Sequence, residues 1–371
     1  MLVTLNAITT KITKGTTPTS VGCTFENSGV NYIKSESLGS SRNINKSKFA
    51  FISEQTHEKL KRSQIEKNDI LFSMAGMFLG KTGIVTADLV PANTNQAVAI
   101  IRIDNEKANH EYVYYYLNLK SVMQAINASS AQSAQPNINL KQIGQLEIDL
   151  PGRKVQDKIV SILSAIDFKI EKNKQINENL EQQAQAIYCD MFITNANPSW
   201  QLGRLSDLIA VRYGKNHKKL ADGIYPVYGS GGIMRYAEKP LYDKESVLIP
   251  RKGTLNNVMY VNKPFWSVDT MFFTEMKLPN VAKFVFHFVK SKDLASLNAG
   301  SAVPSMTTDI LNAMELSIPD ANTLYKFENI VAPMYQAMQQ NTQQSSKLAE
   351  LRDSLLPRLM SGEIDVTDIQ I

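Results

Sequence analysis

The 371-residue sequence contains few of the residues that build covalently linked or metal-held sites. It has only two cysteines, Cys23 and Cys189, which fall in different predicted domains. This spacing argues against a disulfide framework and favours a reducing cytoplasm. The four histidines are scattered without metal-ligand spacing: His57, His110, His217 and His287. We therefore predict no metal and no other cofactor.

Long apolar runs are also missing. No stretch approaches the ~20 apolar residues that a membrane-spanning helix needs, and residues 1–6 lack the basic start and apolar core of a signal peptide. The formal net charge is only +5, which permits an acidic partner without requiring one. These features predict a cytoplasmic globular protein of two or three domains without membrane contact.

Glycine and proline, which number 18 and 14 in the chain, are absent from residues 153–192. Apolar residues recur there in steps of three and four, which predicts one long helix, Arg153–Phe192, with a single apolar seam. Asn173 interrupts the seam, and a buried Asn in such a position fixes helix register. Basic and acidic residues are balanced along the stretch, which argues against a helix lying in a DNA groove.

The same pattern returns 168 residues later. The aligned pairs include Glu147 with Glu315, Pro136 with Pro304, and Asn173 with Asn341. Solenoid repeats are only about 20–50 residues long, so this match indicates an internal duplication in the order globule, helix, globule, helix. We predict the second helix at Thr323–Leu356, with a kink or a later start at Pro333.

These observations predict an α+β fold in which two mixed α/β domains are joined by two long helices. We expect strands at 69–73, 83–85 and 97–103 and a further helix at His110–Asn127. The predicted bounds are 1–150 for the first globule, 151–195 for the central helix, 196–319 for the second globule, 320–358 for the C-terminal helix and 359–371 for a tail. The residues placed in the helix seam are Ile159, Ile166, Asn173, Leu180, Met334, Asn341 and Leu348.

One stretch nearly matches a P-loop, the phosphate-binding loop of nucleotide-binding enzymes. Residues 75–82 read Ala-Gly-Met-Phe-Leu-Gly-Lys-Thr. A P-loop works through a following helix whose N-terminus faces the phosphates, whereas residues 82–86 continue as a strand. We interpret the stretch as a β-turn that projects Lys81. Two other interpretations of the chain stay open. One is an ATP-dependent enzyme built on this loop, and the other is a coiled-coil adaptor that does not bind DNA.

No nucleophile elbow is present, and no paired carboxylates recur in both halves at positions that suggest acid–base chemistry. A duplicated, loop-rich chain of this kind favours a recognition scaffold over an enzyme. Several short stretches resemble, in the same order, the specificity subunits of type I restriction–modification enzymes. They are Lys14–Pro18, Gly29–Lys34, Asp69–Leu71, Tyr213–Lys215, Tyr225–Gly232, Leu351–Pro357 and Ser361–Ile364.

The resemblance covers essentially the whole chain. It implies that each globule is a target-recognition domain for one part of a split, asymmetric DNA site. It also implies that the two helices pack as an antiparallel coiled coil, with pseudo-two-fold symmetry, and set the gap between the parts. The implied partners are double-stranded DNA, two methyltransferase (modification) subunits and ATP-dependent restriction subunits. Catalysis would then belong to those partners, and this chain would be a non-catalytic subunit.

Base-contacting residues do not carry over by motif, because the recognition loops differ among members of the family. Loop Arg, Lys, Asn and His are the chemical candidates, since Arg can bind guanine bidentately and Asn can bind adenine. In the first globule our candidates for DNA contact are Lys14, Arg42, Lys46, Lys48 and Lys81. In the second globule they are Arg212, Lys215, His217, Lys218, Arg251 and Lys252.

Overall fold

The computed structural model describes residues 1–39, 41–130, 137–297 and 305–369. It divides into two compact units. The first unit comprises residues 1–171 and 344–371, and the second unit comprises residues 172–343. Both boundaries fall inside long helices, so each unit contains part of both helices, whereas the predicted domain bounds kept helices and globules apart. The aligned prolines Pro136 and Pro304 lie outside the described residues.

The secondary structure alternates short strands with helices. The strands are β1 Leu2–Thr4, β2 Thr9–Lys14, β3 Val30–Ile33, β4 Ala50–Ile52, β5 Gln64–Ile65, β6 Ile70–Ser73, β7 Thr82–Ile84, β8 Ala92–Thr94, β9 Val98–Ile103, β10 Glu147–Asp149, β11 Gln201–Arg204, β12 Ile209–Tyr213, β13 Asp222–Gly229, β14 Gly232–Ala237, β15 Ser246–Pro250, β16 Met259–Val261, β17 Trp266–Ser267, β18 Met271–Met276 and β19 Glu315–Ile318. The helices are α1 Glu54–Lys59, α2 His110–Leu117, α3 Lys120–Ser130, α4 Leu140–Gly144, α5 Arg153–Cys189, α6 Leu205–Leu208, α7 Ala282–Lys290, α8 Thr308–Asn312 and α9 Ala321–Met360.

The sheets of the two units follow one plan. The first unit has sheets in the order β2-β9-β6-β7 and β4-β3-β8-β5, and the second has β12-β18-β15-β16 and β14-β13-β17. A parallel pair recurs in each unit, β3 with β8 and β13 with β17. The two-stranded sheets β1-β10 and β11-β19 also correspond, with Glu147 and Glu315 in equivalent strands. The duplication predicted from the sequence is therefore present in the fold.

The long helices pack antiparallel within each unit. In the first unit, Ile159 and Leu163 of α5 share a buried core with Leu356 and Leu359 of α9. Nearby, Arg352 Nη1 donates to Asp167 Oδ1 at 2.7 Å, and Tyr115 Oη donates to the other oxygen of that carboxylate at 2.6 Å. This half-buried ion pair holds the two helices and α2 together. The predicted seam residues Ile166 and Leu348 are half-buried in this unit.

The second unit contains the paired asparagines of the seam. Asn173 is fully buried, and its Nδ2 donates to the backbone oxygen of Asn341 at 3.3 Å. Asn341 Nδ2 donates to Asn177 Oδ1 at 2.9 Å. Amide side chains therefore bond across the helix pair where apolar side chains would otherwise pack, which favours one register. Leu180 and Met334 are half-buried in the same helices.

Two predicted helices have different bounds in the structure. The helix predicted at His110–Asn127 is two helices, because Asn118 Nδ2 donates to the Tyr114 carbonyl at 2.7 Å and ends α2. Such local side-chain bonds compete with helix continuation. The α-helical part of the first long helix ends at Cys189 and passes into a π-helical turn, Asp190–Thr194.

The late start at Pro333 is wrong, because α9 runs unbroken from Ala321 to Met360, and the kink stays a prediction. A proline removes one backbone bond from a helix. Here the flanking side chains of Phe327, Val331 and Tyr335 are buried in the core of the second unit. Their packing holds the backbone on both sides of the missing bond, and tertiary contacts thereby override the local preference.

A buried histidine ties α7 to both long helices in the second unit. The His287 side chain is fully buried, and its ring stacks on Tyr188 with centroids 5.6 Å apart. His287 Nδ1 lies 2.7 Å from Gln185 Oε1, and Nε2 lies 2.9 Å from Tyr335 Oη. Burial, assisted by the positive charge of Lys290, lowers the pKa of His287 to about 4. The ring is therefore neutral at physiological pH.

Candidate nucleic-acid interface

Loops converge at one end of the main sheet in the second unit. Tyr213, the last residue of β12, pairs with Phe272 of β18, and Pro250, the last residue of β15, pairs with Met271. The loops that leave β12 and β15 and the loop that enters β18 therefore meet at the same edge. Loops on a rigid sheet are common positions for binding residues.

Three predicted DNA contacts lie at this edge: Lys215, Arg251 and Lys252, which we call the second basic edge. The Arg251 guanidinium lies over the Tyr213 ring, 5.3 Å from its centroid, a cation–π contact that orients the charge. Lys215 and Lys252 are exposed, and their backbone amides donate to Ser267 and Thr270 at 2.8 and 3.2 Å. The backbone of both lysines is fixed while their ammonium groups face solvent.

A glycine allows the second basic edge to form. A Cβ atom on Gly214 would lie 2.0 Å from the carbonyl oxygen of Val268, which is far inside van der Waals contact. Only glycine lets the loop that carries Lys215 lie this close to the start of β18. The Trp266 indole reinforces the same contact, because its Nε1 donates to the Lys215 carbonyl at 2.8 Å.

The first unit has the same arrangement. Lys14 of β2 pairs with Ala99 of β9, and Ser73 of β6 pairs with Val98 of β9, so the two strand ends lie at the same end of the sheet, on either side of β9. The Lys81 carbonyl accepts from the Ser73 amide at 2.8 Å, which brings Lys81 to this end as well. We call Lys14, Lys81 and Arg62 the first basic edge.

Gly15 and Arg62 complete the parallel between the edges. A Cβ atom on Gly15 would lie 1.9 Å from the Thr94 carbonyl oxygen, so this glycine has the role that Gly214 has in the second unit. Arg62 Nη2 donates to Thr16 Oγ1 at 3.1 Å, beside Lys14 in the chain. Arg62 was not among the predicted contacts, because its position in a basic stretch gave no indication that it approaches the end of β2.

Two predicted contacts of the first unit are in ion pairs. Arg42 binds the Glu111 carboxylate with two hydrogen bonds of 3.2 and 2.8 Å, and its carbonyl accepts from Ile84 at the opposite end of the sheet. Lys46 pairs with Asp88 at 2.5 Å, and this hydrogen bond lowers the pKa of Asp88 to about 2. Arg42 is therefore held away from the first basic edge, whereas the Lys46 pair is exposed and a phosphate could displace it.

The remaining candidates have mixed surroundings. Lys48 and Lys218 are exposed in turns. Arg212 pairs with Glu275 at 2.9 Å on the surface, an exposed contact that a phosphate could displace. His217 is half-buried, and its Nδ1 has no hydrogen-bond partner among the described residues. These four positions, like the other seven candidates, stay predictions as DNA contacts.

The near P-loop does not have the geometry of a phosphate site. Residues 76–78 form a 3-10 turn, and β7 begins at Thr82, where a P-loop has its helix. Across residues 1–39, 41–130, 137–297 and 305–369, no cluster of three or more His, Cys, Asp or Glu side chains is placed to hold a metal ion. Over the same ranges, no helix is both long and apolar enough to span a membrane.

Comparisons with known proteins identify the family of the chain. The family model of the type I restriction modification DNA specificity domain matches residues 2–182 and 197–345. The chain is 24% identical over 331 residues to the type I restriction enzyme MjaIX specificity subunit of Methanocaldococcus jannaschii, covering 77% of this chain and 76% of the relative. It is 21% identical over 415 residues to the HindI specificity subunit of Haemophilus influenzae, covering 82% and 88%.

A solved structure supports the fold. The crystal structure of a type I restriction-modification S subunit from M. genitalium aligns with a TM-score of 0.56, covering 97% of this chain and 95% of that chain. Sequence identity in this alignment is 18%, so the likeness establishes the architecture alone. The match extends over both units and both long helices.

Proposed function

The chain belongs to the type I restriction modification DNA specificity family, and from this premise we propose that it is the DNA-recognition subunit of a restriction–modification complex. Each unit would bind one half of a split, asymmetric DNA site. The two long helices, continuous from one unit to the other, would set the gap between the halves. Methyl transfer to adenine and ATP-driven cleavage would belong to partner subunits.

The observation that carries this proposal is the recurrence of a basic edge in each copy of the duplication. Lysine and arginine side chains at the ends of corresponding strands supply the charge that phosphates bind. A required glycine precedes the edge in both units, at Gly15 and Gly214. The surrounding loops differ in length and sequence, which supports two unequal half-sites.

Exposed apolar side chains on the long helices support a docking role. Phe168 and Leu351 are exposed in the first unit, and Ile176 and Ile330 in the second. Large apolar side chains on a helix surface favour protein contacts over solvent. We assign these faces to the methyltransferase subunits, with one copy on each unit.

Duplex binding tests the proposal. The chain, co-expressed with a candidate methyltransferase subunit, should bind duplex DNA with an affinity that falls steeply between low and moderate salt. A coiled-coil adaptor would show no duplex binding at any salt concentration. An ATP-dependent enzyme would bind nucleotide and lose that binding in Lys81→Ala, whereas we expect no nucleotide binding by either protein.

A further inference from the structure

The β13–β14 hairpin exposes apolar side chains beside the second basic edge. Its tip, residues 229–234, joins the two strands through Ser230 and Gly231. Ile233 is 47% exposed and Met234 is 60% exposed. Exposed apolar side chains at the end of a two-stranded ribbon indicate a contact surface, since they gain nothing from water.

The backbone fixes the direction of Met234. Val227 pairs with Arg235 and Tyr228 pairs with Ile233, so Met234 is an extra residue without a partner on β13. Such a β-bulge re-aims the side chain of the residue that it inserts. A Cβ atom on Gly229 would lie 2.5 Å from Met234 Sδ. The thioether therefore lies across the bare backbone of Gly229 on the opposite strand.

The tip is anchored to the loop that carries the basic side chains. Asn257 Nδ2 donates to the Ser230 carbonyl at 2.8 Å. Gly253 has a φ of +87°, and a Cβ atom there would lie 2.7 Å from Ser230 Oγ. Residues 251–257 thus hold the tip from one side, and Arg251 and Lys252 belong to that same segment.

The corresponding connection in the first unit is built differently. Residues 34–49 join β3 to β4 through two 3-10 turns, and Leu38 and Ile44 in that segment are buried in the core. The apolar side chains of this connection pack inward in the first unit and face solvent in the second. The two copies of the duplication therefore differ at this connection. Under the proposed function the two half-sites are unequal, and a difference between the copies beside the basic edge is expected.

We propose that the β13–β14 tip enters the major groove and that Ile233 and Met234 contact thymine methyl groups there. A two-stranded ribbon fits a major groove about 12 Å wide, and the C5-methyl of thymine is the apolar group that this groove displays. Lys215, Arg251 and Lys252 beside the tip would bind the flanking phosphates. Two acidic side chains lie near this edge: Asp269, in the loop between β17 and β18, and Asp293, which accepts from Asn256 Nδ2 at 3.0 Å. This inference rests on the proposed function of the chain.

The test uses the complex with its methyltransferase subunit and the duplex that the wild-type complex methylates. Each thymine of that site is replaced singly by deoxyuridine, which lacks the methyl group. We expect a loss of affinity of roughly fourfold at one or two thymines of one half-site, the loss for one buried methyl group. The double variant Ile233→Ala, Met234→Ala should bind roughly tenfold more weakly and show no further loss on the uridine duplexes.

Matched variants separate this contact from general effects. Ile224→Ala removes a still more exposed isoleucine, at 78%, from the far end of β13 and should leave the uridine sensitivity unchanged. Met234→Leu keeps the apolar volume and should retain wild-type affinity. Circular dichroism melting should coincide for all of these proteins, because the altered side chains are exposed.

Several results would overturn the inference. Wild-type affinity that ignores every thymine-to-uridine replacement would do so, and so would uridine sensitivity that persists in the double variant. If wild type shows no uridine sensitivity and the double variant loses the ability to bend DNA, the tip would instead insert between base pairs from the minor groove. Absence of duplex binding by the wild-type complex is a separate result that would reject the proposed function itself.

Discussion

Protonation of His287 should destabilise the second unit as the pH falls. The ring is fully buried, and its pKa is lowered from 6.5 to about 4 by burial and by Lys290. In the unfolded chain His287 binds a proton below pH 6.5, whereas in the folded chain it binds a proton only near pH 4. Stability is therefore unaffected above pH 7 and decreases between pH 6.5 and pH 4.

The size of the effect follows from the two pKa values. A tenfold change in proton affinity corresponds to about 1.4 kcal/mol, so the full loss is about 3 kcal/mol, of which about 2 kcal/mol is lost by pH 5. A loss of this size is a large fraction of the stability of an ordinary domain, about 5–15 kcal/mol.

The assay is urea unfolding at pH 7, 6, 5 and 4, with wild type and His287→Gln compared. Glutamine can accept from Tyr335 Oη but does not titrate. It loses the bond to Gln185, so the variant should be roughly 1 kcal/mol less stable at pH 7. Its stability should fall with pH by about 3 kcal/mol less than that of wild type between pH 7 and pH 4. Parallel pH profiles for the two proteins would refute a buried neutral histidine.

Three further predictions concern the edges and the helix pair. Gly214→Ala places a methyl group 2.0 Å from a backbone carbonyl and should weaken duplex binding at least tenfold, whereas Gly152→Ala, with nothing within 4 Å, should not. Arg352→Met leaves a half-buried carboxylate in the first unit without its cation and should lower the unfolding free energy by about 2 kcal/mol; Arg358→Met, which breaks an exposed pair, should cost under about 1 kcal/mol. Lys252→Ala should reduce the slope of log affinity against log salt by about 1, and an unchanged slope would remove it from the phosphate contacts.

The long helices and the duplication could be predicted from the sequence because their signals are local and periodic. Heptad-like steps in 153–192 dictate an apolar stripe without reference to the rest of the chain. The error at Pro333 shows the limit of such reasoning. Whether a proline ends a helix depends on buried neighbours such as Phe327 and Tyr335, whose burial is a tertiary fact.

The candidate site was less predictable. Basic side chains were taken as the chemical candidates, but charge alone does not distinguish Lys81 at the sheet end from Arg42, whose partner Glu111 lies 69 positions away in sequence. The proposed contacts Ile233 and Met234 were not among the candidates, because only polar loop residues were considered. Their signal was two large apolar residues directly after Gly231 and Gly232, at a place where a hairpin tip is normally polar.

Adenine methylation mapping tests the central claim most directly. The chain is co-expressed with its methyltransferase subunit, and methylated adenines are located across the host DNA. Two units with unequal loops on a fixed helical spacer predict a split motif with two different halves and one constant gap. A contiguous palindromic motif would contradict the claim, because it would mean that the two units do not bind separate parts of one site.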